Sequence, residues 1–150
     1  MKEKYESLGR LVSILYRSGQ SYIGKQLEPY GIGSGQVGFL AELLHRDGVS
    51  QDDLATFFRC DKATSTRALQ RLESQGYVER KRSTKDGRVN LVYLTPKGHE
   101  FKPTLREVLS GWTEILVQGF SDEERKQTIQ LMKRMVENAT DIKEDENNKS

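Results

Sequence analysis

The sequence is most informative first in what it lacks. A single cysteine, Cys60, excludes an internal disulfide framework. Two histidines, His45 and His99, are too few and too far apart for a recognisable metal site. Apolar residues make up only 35% of the 150 residues. No apolar run approaches the length of a transmembrane helix. The opening Met1-Lys2-Glu3-Lys4-Tyr5-Glu6 lacks the apolar core of a signal peptide. No Ser-His-Asp set, carboxylate pair or P-loop is present, so neither an enzyme nor a cofactor is expected. Gly33-Ser34-Gly35-Gln36-Val37-Gly38 matches G-x-G-x-x-G, but no strand precedes it and no βαβ unit surrounds it. A close helix contact or a cavity wall explains those glycines better. These absences predict a cytoplasmic chain without membrane segments, elongated or oligomeric and mainly helical.

Net charge is also scarce, with 24 basic against 22 acidic residues. Its distribution is uneven. Residues 1–58 carry −1, residues 59–102 carry +6 and residues 103–150 carry −3. A basic segment between two acidic ones is the footprint of a polyanion-binding surface, with a solvated basic face as the alternative.

What is there reads as helix, helix, helix, helix, hairpin, helix, helix. Leu8, Leu11, Leu15, Tyr22 and Ile23 recur at helical spacing over 4–28, and Pro29 and Gly31 stop that helix. A second helix over 34–46 turns Val37, Leu40, Ala41 and Leu44 inward. Ser50 caps a third, short helix, and Asp61 caps a fourth over 61–75, closed by Gly76. Ser65, Ala68, Leu69 and Leu72 form the inner face of the fourth. Tyr77–Arg82 and Val89–Leu94 flank a turn containing Asp86-Gly87, a hairpin signal. Thr95-Pro96 restarts a helix over 96–119, which Pro103 should kink or delay. Ser121 to Glu124 is a capping box for a last helix over 122–138, with Ile129, Met132, Met135 and Val136 on one side. Residues 139–150 read as a disordered tail.

Two short helices followed by a hairpin form a winged helix-turn-helix, a shape that sets its second helix in the major groove of double-stranded DNA. The outer face of helix 61–75 is short near its start and basic further on. Ala63 and Thr66 would permit close approach. Arg67 suits guanine, Gln70 suits adenine, and Lys62, Thr64 and Arg71 suit phosphates. Ser50 and Gln51, at the start of the third helix, complete that side. In the hairpin, Arg80, Lys81, Arg82, Lys85 and Arg88 gather around one turn. Arg82, Lys85, Asp86 and Arg88 are the candidate wing contacts, with Asp86 placed to aim Arg88. An ordinary amphipathic helix and a charge-protected edge hairpin are the plainer alternatives.

Asp61-Lys-Ala-Thr, Arg67, Arg71-Leu72-Glu73, Gly76-Tyr77-Val78-Glu79-Arg80, Asp86-Gly-Arg88 and Leu94-Thr95-Pro96-Lys97-Gly98 together resemble the multiple antibiotic resistance regulator (MarR) family. The resemblance covers roughly residues 5–138. It implies one domain over 1–138, mainly α with a small β-wing. Residues 30–95 would form the winged lobe, with the helix-turn-helix at about 50–75 and the wing at about 77–94. Residues 1–29 and 96–138 would be dimerisation helices. The implied function is a homodimeric transcription regulator, a repressor or an activator, on a pseudo-palindromic operator. By the same resemblance Arg88 enters the minor groove. Small residues at Ser65 and Ala68 depart from the larger apolar residues usual there.

The resemblance also implies a small phenolic or anionic effector, for which Tyr16, Arg17 and Tyr30 are candidates by residue type. Cys60 reads either as a small buried residue between two helices or as a redox-sensing thiol. A winged-helix module that binds protein and no DNA is the remaining alternative.

Overall fold

The computed structural model describes residues 7–147, with residues 142–147 described by backbone alone. The expected first three residues of the first helix and the last three of the tail lie outside the described residues. Contacts gather the chain into two units, one ending at Trp112 and the other beginning at Thr113.

The first unit opens with α1 (Leu8–Leu27), capped by Ser7, whose hydroxyl accepts from the Arg10 amide. A single 3-10 turn, Glu28–Tyr30, contains Pro29 and ends at Gly31 with φ 73°. That left-handed angle favours glycine. Helix α2 (Ser34–His45) follows. Its inward side is Val37, Phe39, Leu40 and Leu43, while Leu44 is only half-buried. Then come β1 (Val49–Ser50), α3 (Gln51–Phe58), α4 (Lys62–Ser74), β2 (Val78–Arg82), β3 (Asn90–Leu94) and α5 (Pro96–Leu116).

The sheet has three strands where the sequence shows two. It is antiparallel in the order β1-β3-β2, with Val49 opposite Val92 and Ser50 opposite Leu91. A two-residue strand carries no periodicity to read. It nevertheless ties the start of α3 to the hairpin. Asp47 braces the same corner. Its Oδ1 accepts from the Leu94 amide at 2.8 Å and the Gly48 amide at 3.1 Å, and its Oδ2 lies 3.5 Å from His99 Nε2.

The core lies where α1 ends and where α2, α3, α4, the sheet and the start of α5 converge. Leu27, Ile32, Leu40, Leu43, Leu54, Leu69, Leu72, Val92 and Leu105 are essentially inaccessible. Gly38 is a close contact: a Cβ there would lie 3.0 Å from the Phe58 ring. Gly98 is closer still, facing the carbonyl oxygen of Tyr77. That oxygen also accepts from the Thr95 amide at 3.1 Å, so it cannot give way without breaking the junction between hairpin and α5. Pro103 neither delays nor interrupts α5, which is one helix from Pro96.

In the second unit α6 (Asp122–Asn147) starts from the expected capping box. The Ser121 amide donates to Glu124 Oε1 at 3.0 Å, and the Glu124 amide donates to Ser121 Oγ at 3.1 Å. The tail boundary at 139 needs correction, because α6 continues to Asn147. Alanine, glutamate and lysine between 137 and 144 are good helix formers, and Thr140 bonds back to the Val136 carbonyl. Among the described side chains of α6 none is buried. Ile129, Leu131, Met132 and Val136 are each about half exposed or more. No helix among the described residues is long and apolar enough to cross a membrane.

Two expectations follow. Gly98→Ala should destabilise the fold by about 1–3 kcal/mol, against the gain in helix propensity. An unchanged urea midpoint would refute the close approach. Asp61 and Glu124 are both held below the ordinary carboxylate range, chiefly by the Thr64 and Ser121 amides they accept from. A depressed carboxyl stabilises the fold above its unfolded value, and that contribution is lost as pH falls through the folded one. The urea midpoint should therefore drop on acidification below about pH 4. The double variant Asp61→Asn, Glu124→Gln should show a shallower drop. An identical acid limb in the variant would contradict the assignment.

Candidate nucleic-acid interface

The buried side of α4 decides what its other side offers. Ser65, Leu69 and Leu72 are fully buried and Ala68 nearly so. These positions fall on one face at i, i+3, i+4 and i+7. Lys62, Ala63, Thr64, Arg67, Gln70 and Arg71 are consequently exposed, with Thr66 half-buried among them. The helix begins at Asp61, whose Oδ1 accepts from the Thr64 amide at 2.6 Å. Arg67 Nη2 lies 3.4 Å from Thr64 Oγ1, which turns the guanidinium toward the start of the helix. Arg71 stands apart, on a cleft shared with Lys25 and Gly31–Gly33.

Helix α3 supports this face. Ser50 Oγ accepts from the Asp53 amide at 3.0 Å, so the hydroxyl serves as cap. Gln51 Nε2 donates to Thr66 Oγ1 at 2.8 Å. A left-handed Arg59, φ 51°, turns the chain from α3 to α4. Cys60 is half-buried in that turn, its Sγ 3.9 Å from the Ala55 carbonyl oxygen.

The wing is β2, β3 and the loop between them, in register from Val78 opposite Leu94 to Arg82 opposite Asn90. The loop is organised by its own side chains. Ser83 Oγ accepts from the amides of Lys85 and Asp86, and Asp86 Oδ1 accepts from the Arg88 amide at 3.0 Å. Arg88 Nε stays 3.6 Å from the same carboxylate while its side chain is 95% exposed. Asp86 thus fixes the direction of Arg88 without covering it. Arg82 and Lys85 are exposed beside it. A small cleft lined by Gln51, Asp52, Lys62, Arg88, Val89 and Asn90 joins the starts of α3 and α4 to the wing.

Two of the five cations read around the turn belong elsewhere. Arg80 donates through Nε to Glu73 Oε2 at 2.6 Å and reaches Gln51 Oε1 with Nη1 at 3.5 Å. Lys81 lies 3.2 Å from Glu79 and over the Tyr93 ring. The signal was available for Arg80. It shares a strand face with buried Val78 and sits opposite buried Val92, so it points inward.

The three aromatic-effector candidates are not brought together. Tyr16 lines a cavity of about 230 Å3 with Leu15, Gly38, Leu109 and Trp112 among its walls. Arg17 is not among the lining residues. Tyr30 instead packs edge-on against Phe101, and its carbonyl accepts from Tyr77 Oη at 3.1 Å. Trp112 was missed, although it is the sequence's one tryptophan. It stacks on Tyr22 and faces Gly19, so the cavity wall depends on pairing across helices that spacing along one helix does not reveal.

Residues 34–89 match the model of the MarR family. The HTH-type transcriptional regulator BilQ of Clostridioides difficile is 30% identical over 95% of this chain and 96% of its own length. A MarR transcriptional regulator from Methanosarcina mazei Go1 superposes with a TM-score of 0.88 at 44% identity, covering 90% of this chain and 97% of that one. This chain belongs to the MarR family. It is a winged-helix transcriptional regulator of the DNA-binding class, and its relatives are regulators rather than enzymes. A Listeria monocytogenes MarR-family protein, crystallised with a 26mer DNA, shares the fold at a TM-score of 0.84 and 21% identity, over 91% of each chain.

Arg88→Ala should weaken duplex binding roughly tenfold and lower the slope of log affinity against log salt by about one. Asp86→Ala should weaken binding with little change in slope, since the cation remains. Equal affinity of both variants and the parent would remove the wing from the interface.

Proposed function

We propose that this regulator acts as a homodimer on a pseudo-palindromic operator and represses by occupying it. The observation that carries this reading is the pairing, on one lobe, of the exposed α4 face with a wing whose Arg88 is pre-aimed. Lys62, Ala63, Thr64, Arg67 and Gln70 on α4 suit the major groove, and Arg88 suits the narrow minor groove beside it. Ser50, Gln51, Arg71, Arg82 and Lys85 suit the flanking backbone. One such lobe reads one half-site, so two are needed for a symmetric operator.

The dimer has its own support. Leu8, Leu11, Val12 and Leu15 on α1, and Ile129, Met132 and Val136 on α6, are exposed apolar side chains at helical spacing. Apolar stripes of this kind mark association surfaces. The cavity walled by Tyr16 and Trp112 is the effector site in this reading. Its walls are mainly apolar and aromatic, which favours a small phenol held by stacking over one held by an ion pair.

Selection from random duplexes should yield inverted half-sites with centres about one helical turn, roughly 10 base pairs, apart. Two chains should bind each site by sedimentation, and affinity should fall steeply with salt. Salicylate should quench the single tryptophan, Trp112, and weaken operator binding in parallel. One chain per site, or equal affinity for selected and random duplex, would overturn the reading. Unquenched fluorescence would remove the cavity as the effector site.

A further inference from the structure

A chain of polar side chains runs from α4 through the wing and back to α4. Glu73 accepts from Arg80 Nε at 2.6 Å and from Nη2 at 3.5 Å. Arg80 Nη1 donates to Gln51 Oε1 at 3.5 Å. Gln51 Nε2 donates to Thr66 Oγ1 at 2.8 Å. The order is chemically directed. A guanidinium has donors only, so the amide of Gln51 must turn its oxygen to Arg80 and its nitrogen to Thr66. Thr66 Oγ1 therefore accepts from the protein. Among the described residues no protein acceptor takes its hydroxyl proton.

Thr66 lies on the outer side of α4, three residues after Ala63 and four before Gln70, both exposed. From this polarity we infer that Thr66 is a specificity-determining residue that presents a hydrogen-bond donor to the DNA. It selects a base edge carrying an acceptor, such as guanine O6 or N7, adenine N7 or thymine O4. Gln51 and Arg80 are positioning residues that set this donor sense from outside the groove. With the amide reversed, Thr66 would donate to Gln51 and offer lone pairs to the adenine or cytosine amino group instead. The inference rests on the DNA-binding reading above. It adds that the donor sense of a base-contacting residue, Thr66, is set by Gln51 and Arg80, which touch no base.

The test is site selection from random duplexes with the full chain and four variants. Thr66→Ser should keep the preference profile. Thr66→Val, which keeps the shape and loses the hydroxyl, should lose about three- to tenfold discrimination at one position per half-site. Gln51→Glu places a carboxylate, which only accepts, between Arg80 and Thr66. It should shift preference at that same position toward bases with an amino group, whatever its effect on total affinity. Adding Thr66→Val to Gln51→Glu should abolish that shift. A profile unchanged by Thr66→Val, in a parent chain that selects a sequence, would overturn this inference alone. A Gln51→Glu change confined to a different position would also overturn it, because Gln51 would then be reading a base itself. A parent chain that selects no sequence at all overturns the DNA-binding reading along with it.

Discussion

The buried stripe of α4 is the constraint on which the rest depends. Ser65, Ala68, Leu69 and Leu72 fix the rotation of that helix against α2, α3 and β2. Once the rotation is fixed, which side chains face outward is no longer free. Leucine-to-alanine changes in such a core cost about 2–5 kcal/mol, a large part of a stability of about 5–15 kcal/mol. The exposed face of α4 and the core of the lobe are therefore one object energetically. Two of the four stripe residues are small, which lets the helix lie close to what it packs against. Ser65 Oγ is buried there without a hydrogen-bond partner among the described residues. Short side chains thus leave one polar group unsatisfied beneath the exposed face of α4, at a cost that an alanine would not carry.

Much of this was legible in the sequence, for identifiable reasons. The α4 stripe, the caps at Asp61 and Ser121, the hairpin around Asp86-Gly87 and the stop at Gly31 are local signals, each needing only a few neighbouring residues. What was hidden depends on distant pairing. The strand Val49–Ser50 exists only because β3 is beside it. Arg80 reads as one more wing cation until Glu73 and Gln51 are brought to it. Tyr30 and Arg17 looked like cavity residues by type. The cavity is instead closed by Trp112 and by glycines on facing helices, and no single-helix pattern announces that. The end of α6 was misjudged because polar composition was read as disorder, where helix propensity carries the segment on to Asn147.

The low apolar content gains a location from the structure. In the first unit the apolar residues concentrate in the lobe core, and the outer part of α1 keeps its leucines exposed. In the second unit only Val117 is buried among the described residues. With no buried residue among its described side chains, α6 rests within the chain on helix propensity and on the Ser121–Glu124 capping box.

The wing loop illustrates a different economy. Ser83 and Asp86 hold its backbone in place before any partner arrives, and the exposed side chains of Lys85 and Arg88 project from it, Arg88 beside the Asp86 carboxylate. Most of the loop's conformational entropy is thus lost during folding and not at the moment of encounter. A collision with a polyanion then needs only side-chain torsions to settle, which occur on the picosecond to nanosecond scale for exposed residues. On the proposed DNA-binding role the wing would act as a kinetic device, keeping association close to the rate at which charge and diffusion deliver the two molecules to each other.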